Sequence, residues 1–295
     1  MSIRKFIYAG LAFISMGFTA CTQNEDITPT LKGQEINATF SVGGMQTRVN
    51  TLGAGNRWEN DDQINVLQIY GDESTNTGKY QYIEEKGQAR WNSVKTIRWE
   101  REERCELIAW YHSDITNPFI YNLHPDQSDE DLLKKADLIN GYWYDVPNNY
   151  VEIDMYHRMS MVSIIYHVGT ADYPNMDISE LQVYSKHTSV YFGRDHEQRQ
   201  FVMSTPKGNP DWVKACKHDD GKFSAIVIPG SYIKDEVFLK FKIGENNFNA
   251  KMKMPTDFEE GKRYTYKLDV GKDKVELTRI SVDDLKGWTN EEELK

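Results

Sequence analysis

Alternation with a period of two, repeated along most of the chain, is the strongest constraint on what it can fold into. Val237, Leu239, Phe241 and Ile243 share one face of a segment, and Lys240 and Lys242 take the other. Phe248, Ala250, Met252 and Met254 alternate in the same way against Lys251 and Lys253. Ile36, Ala38, Phe40 and Val42 begin the pattern near the N-terminus. Successive side chains of a strand point to opposite faces, so such segments pack one face and wet the other, as in antiparallel sandwiches. Further strand-like runs are INVLQIY (64–70), CELIAWY (105–111), VEIDMYHRMSMVSIIYHV (151–168, the longest), ISELQVYS (178–185), FSAIVIPG (223–230), RYTYKLDV (263–270) and KVELTRISV (274–282). Pro229-Gly230, Gly244 and Gly261 punctuate them. The 17 tyrosines and 7 tryptophans suit half-buried pleated surfaces and argue against disorder. One stretch reads as helix, SDEDLLKKADLI, with Ser128 as cap, Asp131 in the first turn and Lys134 and Lys135 near the end. The expectation is an all-β chain with one short helix near 129–137.

At 295 residues there is room for two modest domains. The turn-rich PNNY (147–150) separates an N-terminal β-domain, 35–150, from a C-terminal one, 151–295. Residues 1–20 read as a secretory signal: Arg4 and Lys5, then an apolar run of 13 residues from Phe6 to Phe18. As a helix that run spans about 20 Å, short of the roughly 30 Å of a bilayer core. Phe18-Thr19-Ala20-Cys21 resembles the lipobox of bacterial lipoproteins. The resemblance implies cleavage between Ala20 and Cys21, diacylglycerol in thioether linkage to Cys21, and a fatty acyl chain such as palmitate on the new amino terminus. Each buried CH₂ adds about 0.8 kcal/mol, so several chains hold a soluble domain at a membrane surface. The alternative is an ordinary cleaved signal with an incidental cysteine. Residues 21–34 are polar and read as a flexible tether.

The formal charge of −10 becomes −12 when residues 1–20 depart with Arg4 and Lys5 and no acid. A surface this acidic repels nucleic-acid phosphates, so no nucleic-acid partner is expected. The seven histidines (112, 124, 157, 167, 187, 196 and 218) form no H-E-x-x-H or H-x-H pair. There is no G-x-S-x-G elbow and no P-loop. The acidic stretch 126–137 lacks the glycine and terminal glutamate of a calcium loop and reads as the capped helix. Hence no catalytic set, no metal site and no cofactor is expected, and the chain reads as a non-enzyme. Cys105 and Cys216 do not make a disulfide framework by themselves, and whether they are bridged stays open. Trp91, Trp99, Trp110, Trp143 and Trp212 offer a second reading, a sugar-stacking platform.

Several elements occur in a telling order. Thr47-Arg48 follows the first strand, then RWENDDQINV (57–66) supplies a W-x-x-x-D-x-I-x-V element. ADLINGYW (136–143) precedes MYHRMSMVSI (155–164), and FEEGKRYTYKLDV (258–270) precedes ISVDDLKGW (280–288). With the lipobox, this order resembles the fimbrillin and Mfa-like family of Bacteroidetes, over nearly all of residues 36–288. The resemblance implies two tandem transthyretin-like antiparallel β-sandwiches with Greek-key connections. It implies a lipoprotein anchored to the cell outer membrane through Cys21 and exposed at the surface, acting in fimbria assembly and adhesion. It implies that a trypsin-like protease cuts after an arginine behind the first strand, here Arg48 with Arg57 as rival. The freed subunit then enters the fimbrium by donor-strand exchange with other fimbrial subunits. The acidic tail TNEEELK is a poor donor strand, which favours a tip, accessory or anchor subunit over a stalk subunit. A host or bacterial surface ligand belongs to that reading. The rival is a lipid-anchored glycan-binding protein of a polysaccharide-uptake system.

Overall fold

The structure, a computed structural model, describes residues 30–43, 58–112, 115–169, 177–271 and 274–285. Ala20, Cys21, Arg48 and Arg57 lie outside the described residues. In chain order the strands are β1 (Ala38–Val42), β2 (Gln63–Tyr70), β3 (Glu73–Glu85), β4 (Gln88–Lys95), β5 (Cys105–Tyr111) and β6 (Ile120–Asn122). Helix α1 (Glu130–Ala136) follows, then β7 (Ile139–Asp145), β8 (Val151–His157), β9 (Ser160–Val168), β10 (Ile178–Ser185), β11 (Ser189–Asp195) and β12 (Gln200–Met203). The rest are β13 (Asp211–Lys214), β14 (Cys216–Lys217), β15 (Phe223–Val227), β16 (Gly230–Tyr232), β17 (Val237–Ile243), β18 (Asn246–Lys251), β19 (Thr256–Phe258), β20 (Lys262–Val270) and β21 (Val275–Asp284). The fold is all-β with one helix among the described residues, as the alternation predicts.

The described residues from Leu31 onward belong to one compact unit. A seven-stranded sheet runs β1-β8-β7-β5-β2-β3-β4, and a five-stranded one runs β14-β15-β9-β20-β21. Smaller sheets are β13-β10-β17-β18, β12-β11-β6 and β16-β19. Two apolar clusters fill the interior. The first gathers Ile36, Phe40, Trp58, Ile64, Leu107, Ala109 and Ile153 with their neighbours. The second gathers Ile108, Trp110, Leu133 and most of the apolar side chains after Met159. Strand β5 therefore gives alternate residues to two cores. Every one of its seven residues is buried, which is why CELIAWY reads as a continuous apolar run without a wet face.

The structure corrects three expectations. The cap of α1 is Asp129, not Ser128: its carboxylate accepts from the Leu132 amide at 2.8 Å. The sheets are not wholly antiparallel, because β1 pairs with β8 and β20 pairs with β9 in parallel. The long run 151–168 is two strands, broken at Arg158-Met159, with β8 in the seven-stranded sheet and β9 in the five-stranded one. Val151, Ile153 and Met155 accordingly lie in the first core, and Met161, Val162 and Ile164 in the second.

A buried carboxylate ties the layers together. Glu106 of β5 accepts from Tyr142 Oη at 2.9 Å and pairs with Arg194 of β11 at 3.0 Å. Arg194 also donates to the Gly71 carbonyl at 2.9 Å. A buried charge is tolerated when it is paired and hydrogen-bonded in this way, and removing one partner is costly.

Candidate functional site

The candidate site is β1 and the slot that holds it. Among the described residues, β1 has a single ladder neighbour, β8, in register from Ala38↔Val151 to Val42↔Met155. The chain before β1 docks elsewhere. Gly33 donates to the Trp99 carbonyl at 2.6 Å, Trp99 donates to Gln34 at 3.0 Å, and Ile36 donates to Ile97 at 3.0 Å. Residues 31–34, expected to end the tether, thus lie on the body of the protein. The segment 33–42 bonds to the 97–99 stretch just beyond β4 at its start and to β8 at its end.

The alternation through residues 36–42 puts Ile36 at 1 % exposure and Phe40 at 3 %, with Ala38 and Val42 buried beside them. The Phe40 ring sits 4.9 Å from Trp91, edge-on, and 5.4 Å from Tyr80. Two side chains clasp the backbone of this segment from the core side. Trp58 Nε1 donates to the Phe40 carbonyl at 2.9 Å, and Tyr80 Oη donates to the Ile36 carbonyl at 2.6 Å. Burial, with a smaller contribution from Glu35, raises the Tyr80 phenol well above its ordinary range, so it stays a neutral donor. On the wet side, Ser41 Oγ donates to Asp154 Oδ1 at 2.5 Å. Each fully buried Ile, Phe or Val contributes roughly 1.5–3 kcal/mol, so β1 is held firmly although only one ladder pairs it.

The sequence elements noted above find physical roles here. In the W-x-x-x-D-x-I-x-V element, Trp58 holds β1, Ile64 and Val66 are core, and Asp62 accepts from Tyr111 Oη at 3.0 Å. Burial raises the Asp62 carboxyl, partly offset by the hydrogen bonds it accepts. The Trp58 indole bond is a role that sequence reading missed; it spans 18 residues and leaves no local pattern. In ADLINGYW, Gly141 lies where β7 passes β8: a Cβ there would meet the Asp154 carbonyl at 2.5 Å.

Three of the elements meet at the passage from β8 to β9. His157 Nδ1 lies 2.5 Å from Asp137 Oδ2, both buried. Arg158 Nε donates to Asn140 Oδ1 at 2.5 Å, and Arg158 pairs with Glu260 at 3.2 Å. Gly261 donates to the Met159 carbonyl at 3.0 Å. ADLINGYW, MYHRMSMVSI and FEEGKRYTY therefore specify one junction, where the chain crosses from the first core to the second. His157 is thus a buried hydrogen-bonded residue rather than a ligand position.

The five-tryptophan platform does not assemble. Trp99 and Trp110 are 1 % and 4 % exposed and lie in different cores. Trp91 packs on Phe40 and Trp58, and Trp143 packs on Trp99. Trp212 is half-buried on β13, against Tyr184. Cys105 and Cys216 are free and buried, and burial pushes each thiol up to about 11.

The all-β fold of this chain has solved counterparts. A candidate cell adhesion protein from Bacteroides uniformis matches with a TM-score of 0.59 at 16 % identity, over 86 % of this chain and 98 % of its own. Another from Bacteroides ovatus matches with a TM-score of 0.60 at 17 % identity, over 86 % and 99 %. At these identities the likeness is one of fold. Residues 47–284 match the fimbrillin-like family, and the chain belongs to that family, whose setting is the fimbria and the cell surface. No curated protein matches the chain.

Proposed function

We propose that the chain is a lipid-anchored, surface-exposed fimbrial subunit of the tip, accessory or anchor type, acting in assembly and adhesion and not in catalysis. The single observation that carries the reading is β1: an edge strand with one ladder neighbour whose alternate side chains fill an apolar slot. A strand so held is chemically replaceable. Another strand with apolar residues at alternate positions restores the same burial and the same backbone bonds.

Arg48 falls in sequence between β1 and β2, and the family match begins at Thr47, one residue before it. Cutting after Arg48 separates residues 21–48, with the Cys21 lipid and β1, from the rest. The slot along β8 then accepts a strand from a neighbouring subunit. At the other end, β21 pairs with β20 from Val275↔Val270 to Asp284↔Lys262. With β21 committed to its own sheet, the reading favours a receiving rather than a donating role. Left uncut, the chain keeps Cys21 as the permanent foot of the structure at the outer membrane.

Limited digestion of the purified precursor with a trypsin-family protease, read by mass spectrometry, tests this. A single cut after Arg48 with the remainder intact is the expected result. Resistance at Arg48, or general degradation, overturns the maturation step and leaves a permanently tethered protein.

A further inference from the structure

The solvent face of the sheet formed by β13, β10, β17 and β18 carries chemistry that strand exchange does not use. The register lines up Lys214, Gln182, Lys240 and Asn249 in one row across all four strands. Leu181, Val183, Leu239 and Phe241 on the opposite faces are buried, so this row points to water. Beside it, Trp212 pairs with Tyr184 across the ladder, with ring centroids 5.1 Å apart. Lys240 Nζ lies 4.0 Å from the Trp212 ring centroid. Glu180, Gln182, Lys240, Asn247 and Asn249 border a hollow of about 270 Å³. That lies just under the roughly 300–1,000 Å³ of ordinary ligand sites, so it suits a small ligand or the end of a larger one.

The charge of this face opposes that of the chain. The whole sequence carries −10, yet Lys214, Lys240, Lys242 and Lys251 all stand here. Glu180 pairs with Lys242 at 2.7 Å, and Asp126 lies 3.8 Å from Lys214. Among the described residues, no carboxylate pairs with Lys240, which rests on an aromatic ring instead. Side-chain amides offer a donor and an acceptor side by side, which matches vicinal hydroxyls. An aromatic ring stacks on the C–H face of a pyranose, and an ammonium binds an anion with charge-assisted bonds. Aromatics alone suit any sugar and lysines alone suit any polyanion; the combination on one face selects for both properties in one ligand. We infer that this face is a binding site for an acidic saccharide, carboxylated or sulfated. It lies in a different sheet from β1 and stands whether or not β1 is released.

The test is titration of the chain, followed by tryptophan fluorescence and saturation-transfer NMR, with oligogalacturonate, sialyllactose and a heparin-derived hexasaccharide. Lactose and hexaglutamate serve as the neutral and non-saccharide comparators. The expected result is saturable binding of at least one acidic saccharide, with lactose and hexaglutamate both weaker. Lys240→Gln weakens it about tenfold or more, the scale of one lost charge-assisted bond, and Trp212→Ala weakens it through the lost ring contact. Asn249→Ala, at an exposed position, does so with unchanged thermal unfolding. Binding of none of the three acidic saccharides overturns the inference. So does binding that hexaglutamate equals and that Trp212→Ala leaves intact, which describes a generic anion surface.

Discussion

Phe40 places its ring against Trp91 and Tyr80 while its carbonyl accepts from Trp58, so one residue fixes β1 through both side chain and backbone. Truncating a buried phenylalanine typically costs about 3–5 kcal/mol. Phe40→Ala should lower the stability of the uncut chain by about that amount in urea unfolding. After cleavage at Arg48 and separation of residues 21–48, variant and wild type have the same sequence, and the difference should vanish. A difference that persists would place Phe40 outside the released segment. The role of Phe40 as a core residue is legible from the alternation of Ile36, Ala38, Phe40 and Val42. Its partners are not, because Trp58, Tyr80 and Trp91 come from three later segments that only the fold brings together.

Among the elements, β21 shows how an edge strand is kept from pairing at random. Ile280 and Val282 are about half exposed on it, and charged pairs stand along it. Glu276 bonds Lys253 at 2.6 Å and Lys274 at 2.5 Å, and Lys262 pairs with Asp284 at 2.6 Å. The hydrogen bond from Lys253, then that from Lys274, holds the Glu276 carboxyl down to about 2. Between the ordinary glutamate range and that value the unfolded chain binds more protons than the folded one. Stability is therefore full above the ordinary range and is lost as pH falls through about 2. Glu276→Gln should flatten this part of the thermal-unfolding profile on acidification, and an unchanged slope would contradict the pairing. The extents of these strands were legible: CELIAWY, a continuous apolar run, and ISELQVYS coincide with β5 and β10. The β3–β4 hairpin was not, because β3 is polar over its first half and its turn is Lys86-Gly87 instead of Asn-Gly or Asp-Gly. Both turn residues have positive φ, 53° and 76°, as a tight two-residue turn requires. The parallel sense of β1 on β8 was also hidden, since alternation reports faces and says nothing of direction.

For the whole molecule, two cores share β5 and exchange the chain at His157–Met159, so loss of β1 opens the first core while the second keeps its own sheets. That division makes strand replacement mechanically plausible: the slot can empty without unfolding the body. The account's central claim is that β1 leaves and another strand takes its place along β8. Ser41 and Asp154 are direct cross-strand partners, so Ser41→Cys with Asp154→Cys can close a disulfide across that ladder. The measurement is uptake of a fluorescein-labelled synthetic peptide of residues 33–44 by the Arg48-cleaved double variant, followed by fluorescence anisotropy. The account predicts no uptake while the pair is oxidised and uptake once it is reduced. Uptake by the oxidised form, or none after reduction, would contradict it.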